Sequence, residues 1–369
     1  LEGWGGPNSD NWYQQRERLQ KQIMKRMKEL GINVCLPGYS GMVPHDAKQR
    51  LGLDVADPGK WNDYKRPTFL QPTSKRFAEI ASIYYKEQQR LYGKADFYSM
   101  DPFHEGGNAG GVDLRKAGEA IMGAMKTVNP NAVWVVQAWG ACPYPAMIKH
   151  LNNGDMLVLD LYSENRPQWG DPESTWYRKE GFNGHDWAFC MLLNFGGNVG
   201  MFGKLQHVVD EYYKARQSKS ASTLKGVGLT MEGIENNPVM YELVSELPWR
   251  DAKFSWKKWL HDYVESRYGN INNAKVHDAW QLLARSVYGA GAKIVEQGCH
   301  ESVLCARPAL DVYQVSSWSE MEEFYNPDDV IRAARLMVEA SHEVKVNDNF
   351  RYDLVDVTRQ AIAEQARYV

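Results

Sequence analysis

No run of apolar residues in this chain approaches the roughly 20 that cross a bilayer. The longest, Trp187 to Phe195, is strand-sized, so no membrane span is expected. An excess of either charge is also lacking: 43 Lys and Arg stand against 46 Asp and Glu in 369 residues, a net charge of -3. So near-neutral a balance excludes a phosphate-neutralising surface, hence a nucleic-acid partner, and a polybasic membrane patch. Cysteine is scarce. Cys35, Cys142, Cys190, Cys299 and Cys305 form no Cys-x-x-Cys pair and no Cys/His cluster at zinc spacing, and an odd number fits no complete disulfide framework. Buried thiols are expected, with Cys299 and Cys305 close enough in sequence to be bridged. There is no His-x-His or paired His/Asp spacing for a metal-dependent hydrolase. The glycine-rich Asn194-Phe-Gly-Gly-Asn-Val-Gly lacks both the Gly-Lys-Ser/Thr ending and the dinucleotide spacing of a phosphate loop. Neither a metal nor an organic cofactor is expected. No repeat or low-complexity tract is present. The chain opens on Leu1 rather than Met and reads as starting inside a fold.

What the chain does have is enough apolar material, 43% of its residues, for more than one core, since single cores stop growing near roughly 250–300 residues. Short β-branched and aromatic runs recur at Ile32–Leu36, Asp96–Met100, Ala132–Ala138, Met156–Tyr162, Trp187–Phe195 and Gly226–Met231. Between them lie segments of helical periodicity, Asn11–Leu30, Ser74–Leu91, Leu114–Val128 and Leu205–Ser218, with Gly31 and Gly93 as stops. Strands alternating with helices predict parallel βα units and a (β/α)8 barrel of TIM type. Six such runs are visible where a barrel needs eight, so the N-terminal strands are expected to be missing from this chain. After Trp249-Arg250 the alternation stops, and Trp256–Tyr268, Ala274–Val287, Pro327–Val344 and Tyr352–Tyr368 read as amphipathic helices. A barrel domain over 1–250 and an all-α domain over 251–369 are the expected division.

Two of the runs end in a lone carboxylate. Glu105 closes Met-Asp-Pro-Phe-His-Glu and opens onto Gly-Gly-Asn-Ala-Gly-Gly, a loop poor in helix formers; Glu232 follows Gly-Leu-Thr-Met and precedes another loop. The C-terminal strand ends of a barrel share one mouth, so residues far apart in sequence converge there. A carboxylic acid and a carboxylate held about 5–5.5 Å apart are what a retaining glycosidase needs. His104 stands where it would orient Glu105 or meet a hydroxyl. Trp139 ends the run Ala132–Ala138, and Trp4, Tyr162 and Asn194 lie in loops or at strand ends. Flat rings with polar edges suit the C–H face of a pyranose. Asp160 and Glu164 also follow a strand end. From the residues alone, a barrel glycosidase of another sugar specificity and a non-catalytic carbohydrate-binding protein remain open alternatives.

Taken together, Leu-Glu-Gly-Trp-Gly-Gly-Pro, Asp-Pro-Phe-His-Glu, Trp-Val-Val-Gln-Ala-Trp, Leu-Asn-Phe-Gly-Gly-Asn-Val-Gly-Met-Phe-Gly, Gly-Leu-Thr-Met-Glu-Gly and Arg-Tyr-Asp-Leu-Val-Asp-Val-Thr-Arg-Gln resemble the α-N-acetylglucosaminidases of glycoside hydrolase family 89, nearly end to end and in order. The resemblance implies a retaining exo-hydrolase releasing terminal α-linked N-acetylglucosamine from a glycan of mucin or heparan type, with no cofactor. It implies that Glu105 is the acid/base and Glu232 the nucleophile, and that Trp4, Trp139 and Asn194 lie near the sugar. His104, where the lysosomal branch has Asn, implies the bacterial branch. A secreted, periplasmic or cell-surface location is implied likewise.

Overall fold

A computed structural model of the chain describes residues 8–61, 63–103, 108–193, 200–233, 237–251, 253–292, 294, 310 and 324–366. The elements, in order, are α1 (Asp10–Glu29), β1 (Cys35–Pro37), β2 (Met42–Val43), α2 (Ala47–Leu51), β3 (Val55–Ala56), β4 (Lys60–Trp61), β5 (Tyr64–Lys65), β6 (Thr68–Leu70), α3 (Lys75–Tyr92), β7 (Phe97–Ser99), α4 (Leu114–Lys126), β8 (Val133–Ala138), α5 (Pro145–Ile148), β9 (Met156–Asp160) and β10 (Asp186–Met191). They continue with α6 (Leu205–Arg216), β11 (Leu224–Leu229), α7 (Pro238–Glu246), α8 (Trp256–Tyr268), α9 (Ala274–Arg285), α10 (Pro327–Ser341) and α11 (Asp348–Gln365). The chain divides into two compact units, residues 1–159 with 180–187, and 160–179 with 188–369.

In the first unit the sheet runs β1-β7-β8-β9, with β1 parallel to β7 and β7 parallel to β8. Helices cross between these strands, as parallel pairing requires. Their starts are written in the sequence. Asp113 caps α4 by accepting the Lys116 N–H, and Ser74 caps α3 by accepting the Arg76 N–H; each such cap stabilises by about 1 kcal/mol. The inward face of α4, including Ala117, Ile121, Met122 and Met125, is buried, as are Trp134, Val136 and Ala138 of β8. Sequence periodicity misses two small features between β1 and α3. They are a three-stranded sheet ordered β2-β6-β3, antiparallel throughout, and the two-stranded β4-β5. Strands of two or three residues are too short to display an alternation.

In the second unit β11 lies beside β10 in the sheet, and α6 and α7 pack on one another. From Trp256 onward the described residues are helical or looped. Helix α9 packs against both α8 and α10, and α11 against α8 and α10. Trp259, Tyr263, Trp280, Leu283, Tyr288, Met337 and Phe350 fill the space between them. Within the described part of the run expected as a strand over Trp187–Phe195, the ladder ends at Met191 and Leu192 and Leu193 stay buried outside it; Asn194 and Phe195 lie outside the described residues.

Candidate functional site

In the first unit the relevant edge is the C-terminal end of β7 and β8. The Met100 N–H donates to the Val135 carbonyl at 3.2 Å, and the Trp134 indole N–H donates to the Met100 carbonyl at 2.7 Å, locking the two strand ends. Asp101 then accepts the Gln137 N–H at 3.1 Å. Burial raises the Asp101 pKa from its ordinary value, partly offset by that bond. Two residues on, Phe103 takes a φ of 70°, a left-handed conformation costly for a bulky side chain. Its ring is held edge-on to Phe69, centroids 5.6 Å apart. Such enforced strain is characteristic of functional sites. His104 and Glu105 follow at once and lie outside the described residues, as do Trp4 and Asn194.

Trp139 stands just past β8 in a tight turn. Its N–H donates to the Cys142 carbonyl at 3.1 Å, and the Cys142 N–H donates back at 2.9 Å, with Gly140 at a φ of 52°. Trp139 as a whole is half-buried. The peptide bond between Cys142 and Pro143 is cis.

In the second unit the strand ends are tied by one residue. The Thr230 N–H donates to the Met191 carbonyl at 3.0 Å, and its hydroxyl is shared between the Leu161 carbonyl at 2.8 Å and the Met191 carbonyl at 3.1 Å. Thr230 thus pins the chain leaving β11 to the chains leaving β9 and β10. Glu232 is two residues further and exposed.

Behind this edge lies a buried polar nest. Asp160, Ser163, Glu164, Gln168 and Lys204 are all buried. Asp160 accepts the Gln168 N–H at 3.0 Å through Oδ2, while its Oδ1 finds no hydrogen-bond partner among the described residues. Burial pushes the Asp160 pKa up to about 7, against the hydrogen bond from Gln168 and the charge of Arg178. Burial also raises that of Glu164, with Lys204 pulling down and Asp160 pushing up. Lys204 donates to the Asn165 side-chain oxygen and to the Ile294 carbonyl. Burial, then the nearby Lys204 charge, lowers the His207 pKa to about 4. Arg178 donates to Gln168 at 2.5 Å.

Tyr162 is placed within this layer rather than on an open surface, at 3% exposure. Its hydroxyl accepts the Asn165 side-chain N–H at 3.2 Å, and its ring lies 6.3 Å from Trp176, over which Arg166 sits at 5.3 Å. Sequence reasoning missed Lys204, whose only signal was one cation inside the apolar run Met201-Phe-Gly-Lys-Leu, and Asp101, hidden in a motif read for its last two residues. Cys299 and Cys305 lie outside the described residues; Cys35 is an exposed and Cys190 a buried free thiol.

Residues 1–251 match the family model described as the alpha-N-acetylglucosaminidase (NAGLU) tim-barrel domain, and residues 259–369 the model of the corresponding C-terminal domain. The human protein described as alpha-N-acetylglucosaminidase is 32% identical, over 99% of this chain and 49% of its own length. A solved family 89 glycoside hydrolase from Clostridium perfringens, in complex with PUGNAc, superposes with a TM-score of 0.89 at 32% identity, over 99% of this chain and 41% of that one. A second Clostridium perfringens structure, in complex with its substrate GlcNAc-alpha-1,4-galactose, gives a TM-score of 0.90 at 31% identity with the same coverage. The chain therefore spans about half the length, or less, of these relatives. Its parallel sheet is that of a TIM-type (β/α) barrel, followed by a helical domain.

Proposed function

Because the chain belongs to the α-N-acetylglucosaminidases of glycoside hydrolase family 89, we propose that it forms the catalytic part of an enzyme hydrolysing terminal α-linked N-acetylglucosamine. The observation that carries this reading is Glu232, exposed just beyond a threonine that fixes three strand ends together. Glu105 is its proposed partner.

The chemistry follows from the sugar. In an α-glucosaminide the 2-acetamido group and the leaving oxygen lie on the same ring face, so the acetamide is not placed to displace the leaving group from behind. The protein must supply the nucleophile. The Glu232 carboxylate attacks the anomeric carbon from the opposite face while Glu105 gives its proton to the departing oxygen, leaving a β-glycosyl ester on Glu232. Glu105, now ionised, takes a proton from water, which attacks the same carbon, frees Glu232 and restores the α configuration. His104 orients Glu105. Trp4, Trp139, Tyr162 and Asn194 shape the subsite, Tyr162 from behind the surface. The relative solved with GlcNAc-alpha-1,4-galactose carries two glutamate-to-glutamine substitutions, which fits a pair of essential carboxylates. A mucin-type or heparan-type glycan supplies the substrate, and residues 1–250 and 251–369 are the proposed barrel and helical domains.

Aryl α-N-acetylglucosaminide turnover tests the assignment. Glu105→Ala and Glu232→Ala are each expected to lower kcat by roughly 10²-fold or more. Azide should rescue the first as an α-glycosyl azide and the second as a β-glycosyl azide. Wild-type turnover left intact by both substitutions would overturn the pair.

A further inference from the structure

The helical part of the chain carries a second cluster of chemically capable side chains. His261 and Glu265 are four residues apart on α8 and so share a face. His277 comes from the first turn of α9, which packs against α8. One ligating atom from each residue lies within 4.8 Å of the others. His277 Nε2 is 2.6 Å from Glu265 Oε1. The imidazoles of His261 and His277 are stacked, with centroids 4.3 Å apart and planes 8° from parallel. Two nearly parallel imidazoles, one on a carboxylate, hold in register three groups that water would otherwise solvate separately.

The surroundings fix them further. The Asn272 N–H donates to both carboxylate oxygens of Glu265, at 3.1 and 3.3 Å, from a loop position with a φ of 40°. The Asp262 carboxylate is 3.7 Å from His261 Nδ1. Carboxylates and backbone groups in these places orient metal-binding imidazoles and carboxylates.

We propose that His261, Glu265 and His277 bind a divalent first-row transition ion, Zn²⁺ foremost, which cross-links α8 to α9. Two imidazole nitrogens and one carboxylate oxygen form a zinc donor set, and the 58% exposure of the His261 side chain leaves a fourth position to water. Mg²⁺ and Ca²⁺, which prefer all-oxygen shells, are poorly matched. Around a tetrahedral zinc, ligating atoms stand roughly 3.3–3.5 Å apart, so a rotamer adjustment at His261 closes the set. The ion displaces the proton held between His277 Nε2 and Glu265 Oε1, which leaves to solvent, and forms one bond to each atom. Its role is to staple two helices.

The test uses the full chain, stripped with a chelator and titrated with Zn²⁺ by calorimetry and with Co²⁺ by visible absorption. One equivalent of either ion, Co²⁺ bands of tetrahedral intensity, and a thermal midpoint raised by Zn²⁺ are expected. His261→Asn and His277→Asn should each weaken binding by at least roughly 10–100-fold and abolish the zinc-dependent rise, while the exposed His150→Asn leaves both unchanged. His261 is largely exposed, so its variant is expected to keep the wild-type circular dichroism even if His277→Asn loses it. Absence of saturable binding to the wild-type chain, or binding undiminished in His261→Asn, would overturn the site.

Discussion

Gly118 and Gly123 sit in the same helix, α4, and answer the same substitution in opposite directions. A Cβ on Gly118 would stand 2.3 Å from the Met147 carbonyl oxygen and 2.9 Å from its Cγ, whereas a Cβ on Gly123 meets nothing within 4 Å. Alanine is worth up to ~1 kcal/mol over glycine in a helix interior. At Gly118 that gain is swamped, because α5 must move away from its seat on α4. Gly118→Ala is therefore expected to lower stability by about 1–3 kcal/mol, and Gly123→Ala to raise it by about 0.5–1 kcal/mol, read from urea midpoints. The sequence shows two equivalent helical glycines; only the neighbouring carbonyl tells them apart. Site residues divide similarly. The place of Glu232 just after a strand could be read, since the end of β11 is marked locally along the chain. Lys204 could not, because its significance lies in Asn165 and Ile294, which are distant in sequence.

At the scale of elements, the helical part is joined by a buried ionic junction. Arg267 of α8 donates to Asp353 of α11 through Nε at 2.5 Å and Nη2 at 2.8 Å. The Tyr268 hydroxyl donates to the same carboxylate at 2.7 Å and accepts the Trp280 indole N–H of α9 at 2.9 Å. The two partners respond unequally. Burial raises the Asp353 pKa despite Arg267, while at Arg267 burial is outweighed by the bonds from Asp353 and its pKa rises. The bidentate geometry decides for a charged pair that carries a desolvation cost. Removing one partner strands the other, so Asp353→Ala is expected to cost about 3–5 kcal/mol. Arg267→Met with Asp353→Leu should recover much of the loss in the same thermal melts. The helices themselves were legible, for caps and periodicity are local: α8 runs over the predicted Trp256–Tyr268. The junction was not, since nothing in either helix marks its partner 86 positions away. The strands β2 to β6 escaped for the related reason that pairing, not local pattern, makes them.

At the scale of the molecule, the buried nest of the second unit governs how stability varies with pH. Asp160 and Glu164 have folded pKa values raised by burial, Asp160 to about 7. Between the unfolded values near ~4 and those folded values, the folded chain keeps protons that the unfolded chain releases. Their stabilisation is complete at low pH and is lost as pH rises through about 7, with a slope of about 1.4 kcal/mol per pH unit for each group. His207, lowered to about 4, works the other way, losing stability as pH falls below its unfolded value. The two carboxyls outweigh it, so the urea midpoint is expected to be higher at pH ~5.5 than at pH ~8. Asp160→Asn with Glu164→Gln should flatten or reverse that difference. The (β/α) order and the later change to helices were legible because alternation and its end are written along the chain. The nest was not, because no residue in it is unusual until burial makes it so.

The shared hydroxyl of Thr230 carries one further consequence, for how the family can diversify. It fixes the departure point of the Glu232 segment on the carbonyls of Leu161 and Met191, backbone atoms that any side chain at those positions would supply. The loops around it are therefore released from the duty of aiming the carboxylate. They can lengthen, shorten or change composition, while Glu232, the proposed nucleophile, keeps its point of departure from the strand.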